Sequence, residues 1–195
     1  MRFRTAIEDL LGNQIRVRLL RILTRFPDRG FTGRELAQAC HSSPSQTNQV
    51  LEWLRDSGLL FSELVGRAHV WRLETDHVLA APFATLFRTE RELLNGLTDE
   101  LKALVDGLPV RRATIFGSVA RGDERMTSDI DLLVEVDSDR AKEKVAVALS
   151  AASERFAKRF GNSLSAMVVA RGPKRKPPNP ALQANIERDG IVIRA

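Results

Sequence analysis

Between Asn13 and Phe26 the apolar residues Ile15, Val17, Leu19, Leu20, Ile22 and Leu23 fall largely at helical spacing with arginines between them, which predicts an amphipathic helix. Pro27-Asp28-Arg29-Gly30 breaks it. Thr32, followed three residues later by Glu35, forms a capping box and predicts a short helix ending at Ala39 or Cys40. His41-Ser42-Ser43 reads as a turn. Pro44 then begins a third helix that runs to about Asp56, with Val50, Leu51 and Leu54 inward and Gly58 as its stop. Two short apolar-rich runs, 59–63 and 69–73, flank Val65-Gly66-Arg67-Ala68 as the strands of a hairpin. From Asp76 to Gly107 a stripe of Leu86, Phe87, Leu93, Leu94, Leu97, Leu101, Leu104 and Val105 predicts a long helix, interrupted near Pro82 and weakened at Gly96.

The pattern then changes. An apolar run from Ala113 to Phe116 ends in Gly117-Ser118, and a second, 130–136, carries aspartates at alternate positions, Asp129 and Asp131. In a β-strand residues i and i+2 share a face, so the two carboxylates project together. Paired carboxylates repel and are costly to desolvate unless a cation or strong donors neutralise them. Hard divalent cations such as Mg2+ bind through one or two carboxylates plus substrate phosphates. Gly117 permits close backbone approach to a ligand, and Ser118, opening a helix, offers a hydroxyl and N–H groups to an anion. Downstream, Asp137-Ser138-Asp139 caps a helix to Phe160 with Val145, Val147, Leu149, Ala152 and Phe156 inward, and Gly161-Asn162 ends it. A strand at 164–170, a basic proline-rich loop at 171–180, a helix at 181–188 and a strand at 191–193 complete the chain. The loop either folds over a polyanion or is a surface loop of solvated charges.

Composition narrows the class without naming a chemistry. Of 195 residues, 43% are hydrophobic and 28% charged, as in an ordinary globular protein with a sizeable core. No apolar run approaches the ~20 residues of a membrane span, and the N-terminus lacks the apolar core of a secretory signal. One cysteine excludes an intramolecular disulfide and fits a reducing cytoplasm, and three scattered histidines lack zinc-site spacing. The net charge of +5, carried mainly by arginine, favours polyanionic partners. Trp53, Trp71 and Cys40 are expected in the core, Arg16, Arg18, Arg21 and Arg25 on a solvated face, and His77 in a structural role.

Gly117-Ser118, ten intervening residues and Asp129-x-Asp131, with Ala120-Arg121-Gly122-Asp123 and Ser128 between, resemble the signature of the polymerase-β-type nucleotidyltransferase superfamily. They look most like its minimal, MNT-type branch. The resemblance is strong from about Thr114 to Val136 and looser towards the C-terminus. It implies a mixed β-sheet flanked by helices, with Gly117, Ser118 and Arg121 at the phosphates of ATP or another NTP. It also implies Asp129 and Asp131 as ligands of Mg2+, and catalysis by Asp129, Asp131 and Ser118 of transfer of a nucleotide, AMP, onto a hydroxyl. In that branch the acceptor can lie on a partner toxin, often of the HEPN type, which would make this chain antitoxin-like. Active relatives add a third carboxylate from the next long strand. Here 164–169 carries no acid, Ser165 stands at the approximate place, and Asp123, Glu124 and Glu135 remain as substitutes. A neutral hydroxyl is no general base at neutral pH without help. The alternative is therefore a transcriptional regulator whose degenerate domain binds nucleotide without catalysis. A third reading is an interaction module using neither activity.

Residues from roughly Leu10 to Glu74 resemble a winged helix-turn-helix domain, and the stretch Val50 to Leu60 is similar to the end of the recognition helix in bacterial winged-helix regulators. That resemblance implies DNA binding, with Ser45, Gln46, Asn48 and Gln49, and Arg55 beyond them, facing the major groove. Gln and Asn pair bidentately with adenine. Arg67 and His69 on the wing would reach a phosphate or the minor groove. The other reading is a protein-docking winged helix with a solvated polar face. The expected fold class is α+β: a winged helix-turn-helix at 1–75, a helical linker at 76–108 and a nucleotidyltransferase fold at 109–195. The linker stripe pairs with a second copy in a homodimer, packs on the C-terminal domain, or does both.

Overall fold

The computed structural model describes residues 3–125, 127–171 and 180–195, with backbone alone at 6, 9, 10, 180 and 181. The basic, proline-rich stretch at 172–179 lies outside the described residues. The chain forms two compact units, residues 5–91 and residues 92–195 joined by Phe3 and Arg4.

In the first unit α1 (Ala6–Leu11) precedes α2 (Gln14–Arg25), whose N-cap Asn13 accepts from the Arg16 N–H at 3.0 Å. After the break at Pro27 a two-residue strand β1 (Phe31–Thr32) leads into α3 (Gly33–Ala39), and the Thr32–Glu35 capping box is fully formed. Ser43 caps α4 (Pro44–Asp56), with proline in the first turn as expected. The hairpin β2 (Leu60–Val65) and β3 (Ala68–Leu73) closes at Gly66, φ +63°, and β1 pairs antiparallel with β3 so that Phe31 lies opposite Trp71. Helices followed by a hairpin, with a third short strand on its edge, are the winged helix-turn-helix arrangement. Its core gathers Leu19, Leu23, Leu36, Leu51, Leu54 and Trp71.

Trp53 is 51% exposed, not core. The buried positions of α4 are Thr47, Leu51 and Leu54, and Trp53 falls outside that i, i+4, i+7 stripe. Arg18 and Arg21 are not merely solvated. Arg21 joins buried Glu8 (2.6 Å) to buried Glu90 (2.8 Å), Glu90 also accepts from the Ile7 N–H, and Arg18 bridges Glu8 to the Cys40 carbonyl. Burial pushes the Glu8 carboxyl up, but the hydrogen bonds and charges of Arg18 and Arg21 outweigh it and hold the group below its ordinary range.

Helix α5 (Ala80–Asp106) is unbroken, because Pro82 sits in the first turn, where no intrahelical N–H is lost. Phe87 joins the first core and Leu97, Leu101 and Val105 the second, so the stripe packs on its own chain, while Leu86 is 40% exposed. In the second unit β4 (Arg112–Phe116), α6 (Gly117–Arg121), β5 (Ile130–Val136), α7 (Asp139–Phe160), β6 (Leu164–Ala170), α8 (Pro180–Asp189) and β7 (Ile191–Arg194) build a mixed sheet ordered β6-β5-β4-β7. Parallel strands need a long crossover, which α7 supplies between β5 and β6. Ile130, Leu132, Val134 and Val136 line one face with Ala113, Ile115, Val145 and Leu149. Val147, expected inward on α7, is 71% exposed. Asp131, Leu133 and Glu135 alternate onto the other face.

Candidate active site

Strand β4 delivers Phe116 opposite Asp131 in the antiparallel register, and the chain turns at once at Gly117. Gly117 has φ +72°, and a Cβ there would overlap the Asp131 carboxylate. Conformation and close approach both demand glycine. Helix α6 is little more than one turn, so its opening N–H groups have no partner within the helix, and half-buried Ser118 stands among them. Gly122, φ +77°, closes the turn by donating from its N–H to the Ser118 carbonyl at 2.8 Å.

Asp129 is exposed and immediately precedes β5, while Asp131 is the second residue of the strand and half-buried. The backbone around Asp129 is fixed from both sides. Buried Asn162 donates from its side-chain amide to the Ser128 carbonyl, and the Ile130 N–H donates to the Ser163 carbonyl at 2.8 Å. Burial pushes the Asp131 carboxyl above its ordinary range, the charge of Asp129 pushes it further, and the Arg121 guanidinium opposes both. A divalent cation between the carboxylates would reverse that unfavourable balance, and the donor set, two carboxylates beside a glycine turn, suits Mg2+ completed by phosphate and water oxygens. Among the described residues no cluster of three or more His, Cys, Asp or Glu is gathered for a metal.

Parallel pairing sets Ser165 directly beside Asp131. The three acids considered as substitutes are otherwise engaged. Asp123 accepts from Arg121 at 3.0 Å, Glu135 is paired with Arg171, and buried Glu124 accepts from the Phe3 N–H at 2.8 Å. Arg4 donates to the Val119 carbonyl of α6 at 3.3 Å and crowds Gly122, so the chain's N-terminus buttresses this turn. The sequence carried no signal for that contact. Nor did it place Asp189, at the end of α8, within electrostatic reach of Arg121. A hydrogen bond from Arg188 holds the Asp189 carboxyl below its ordinary range, with the charges of Arg188 and Arg121 adding to it.

On the first unit, Ser45, Gln46, Asn48 and Gln49 are all exposed on α4, and Arg67 is exposed at the hairpin tip. The Gln46 side chain accepts from the Ser43 hydroxyl, Asn48 lies against Gly33, and Arg55 is paired with Glu52 and Asp56.

The Gly117-Ser118 turn lies against the Asp131 carboxylate, with Asp129 just before the strand. Residues 94–190 match the family model described as "Nucleotidyltransferase domain", and the chain carries such a domain behind its winged helix-turn-helix unit. No curated protein matches this chain. Among solved structures it is similar to a predicted DNA-binding transcriptional regulator from E. coli, at 26% identity over 43% of this chain and 85% of that one, with TM-score 0.36. A MarR family transcriptional regulator from Silicibacter pomeroyi shows 21% identity over 54% and 85%, TM-score 0.40. The MepR–DNA complex of S. aureus shows 15% over 51% and 84%, TM-score 0.37. At such TM-scores these likenesses carry neither fold nor function, and the winged-helix description stands on the element order itself.

Proposed function

We propose that this chain is a DNA-binding protein whose C-terminal domain binds an NTP with Mg2+ and transfers its nucleotide, as AMP from ATP, to a hydroxyl acceptor. The observation that carries the reading is the Gly117 turn pressed against Asp131, with Asp129 two residues before it. Gly117 and Ser118 would present N–H and hydroxyl donors to the β- and γ-phosphates, with Arg121 as a nearby cation. Asp129 and Asp131 would hold the metal, which when bound supplies charge stabilisation at the attacking and leaving oxygens. Ser45, Gln46, Asn48 and Gln49 would read base edges, and Arg67 would contact a phosphate. A hydroxyl on a HEPN-type toxin is the acceptor this reading favours, making the chain antitoxin-like and cytoplasmic, and a homodimer would suit two half-sites.

A second reading, a nucleotide-binding regulator without transfer, is favoured by one observation: Ser165 stands in register beside Asp131 where an acid would serve as base. Labelled-ATP transfer to candidate acceptors, measured on wild type, Asp131→Asn and Ser165→Asp, separates the two. The transfer reading expects wild-type labelling that Asp131→Asn abolishes. Nucleotide binding with no labelling, and labelling gained only by Ser165→Asp, would select the regulator.

A further inference from the structure

Away from the sites already described, the winged-helix unit contains a cavity of about 440 Å³ between the end of α1, the first half of α2, the end of α4 and the start of α5. That is within the roughly 300–1,000 Å³ typical of small-molecule sites. Its walls are largely apolar, with Leu11, Val17, Leu20, Leu54, Leu79 and Phe83. Trp53, whose 51% exposure is anomalous for so large an apolar side chain, forms part of the wall. Two donor-bearing side chains, Arg16 and His77, belong to this lining. The Arg16 guanidinium lies 3.8 Å over the Trp53 ring, and its Nε is buried with no hydrogen-bond acceptor. His77 accepts from the Leu79 N–H at Nδ1 (3.2 Å), which leaves the proton on Nε2 free to be donated elsewhere. None of the described lining residues is acidic.

A guanidinium on an apolar wall is costly without a counter-charge or acceptors. A neutral apolar ligand would fill the volume and leave Arg16, the cation of this lining, without a counter-charge. A cation would be repelled. We propose that this cavity binds a small ligand with an apolar body and a single carboxylate, the carboxylate accepting from Arg16 and the body covering Trp53, Leu79 and Phe83. The inference is independent of the nucleotidyltransferase reading, since every described lining residue belongs to the winged-helix unit.

The test titrates octanoate, octanol and octylammonium into the full chain, followed by calorimetry and by tryptophan emission, which only Trp53 and the buried Trp71 supply. Octanoate should bind at least about tenfold more tightly than octanol, the worth of a charge-assisted hydrogen bond, and octylammonium should not bind. Arg16→Met, which retains the stack on Trp53 as an apolar contact, should erase the preference while octanol still binds, showing that the unit remains folded. Equal affinity for octanoate and octanol in the wild type, or a preference unchanged in Arg16→Met, overturns the proposal. So does tryptophan emission that follows protein concentration and ignores octanoate, because a second copy of the chain would then cover this face.

Discussion

Gly117 is the residue on which the proposed nucleotide site turns. An alanine there must adopt φ +72° and displace the Asp131 carboxylate, a conformational cost of roughly 1–2 kcal/mol before the steric one. Gly117→Ala is expected to weaken ATP binding more than it weakens folding, and parallel calorimetric and denaturant titrations would show it. Asp131 gives a second prediction, with the opposite sign for stability. Its folded pKa is raised, so its contribution favours the fold only below the ordinary carboxylate range and is lost as pH rises through the raised value. In the absence of divalent cations Asp131→Asn should therefore raise the melting temperature at pH 7, by roughly 2 °C or less given solvent screening, and leave it unchanged or lower at pH 3. A fall at pH 7 would contradict the electrostatic account. At this scale the Gly-Ser turn ending an apolar run and the start of the following strand were legible, and the Gly117 turn does lie against Asp131, while the roles of these residues come from the family resemblance. Trp53 was not, because apolar character was read as burial while the α4 stripe runs through Thr47, Leu51 and Leu54. Nor were Arg18 and Arg21, because Glu8 sits on the separate short helix α1 and Glu90 lies 69 residues beyond Arg21.

Elements with local signals were placed well: the capped helices α3 and α4, the hairpin at Gly66, and the apolar strand β5. Helix α1 was missed because it is six residues long, and its N-cap position Thr5 makes no side-chain cap bond. Strand β1, two residues long, exists only through its pairing with β3. The parallel register that sets Ser165 beside Asp131 depends on how α7 returns the chain, so Ser165's place was readable through the family resemblance and not from any local pattern. Two predictions belong here. Glu90 receives the Ile7 N–H and Arg21 together while almost fully buried, so Glu90→Ala leaves the Ile7 N–H without its acceptor and half-buried Arg21 with Glu8 as its remaining acid. It should destabilise the winged-helix unit by about 3 kcal/mol, measured by denaturant titration. On α4, Asn48→Ala and Gln49→Ala should flatten sequence preference in DNA-shift assays, whereas Arg67→Ala should weaken all sequences alike and reduce the log–log salt slope by about one. A salt slope unmoved by Arg67→Ala would remove the wing from the interface.

Taken whole, the chain joins a winged helix-turn-helix unit and a nucleotidyltransferase domain, each with its own core. The α+β class and the order of the two parts were readable from periodicity, because the first part alternates helical stripes with a hairpin and the second opens on two strands. The return of Phe3 and Arg4 to the second unit was not, since no pattern in a chain's first residues announces a contact with Glu124 or Val119. The central claim is that Gly117, Ser118, Asp129 and Asp131 form a live metal–nucleotide site. Calorimetric titration of ATP with Mg2+ into the full chain and into the Asp129→Asn/Asp131→Asn variant tests it most directly. The account predicts Mg2+-dependent binding in the wild type and none in the variant. An absence of binding in the wild type, or equal binding in both, would contradict it.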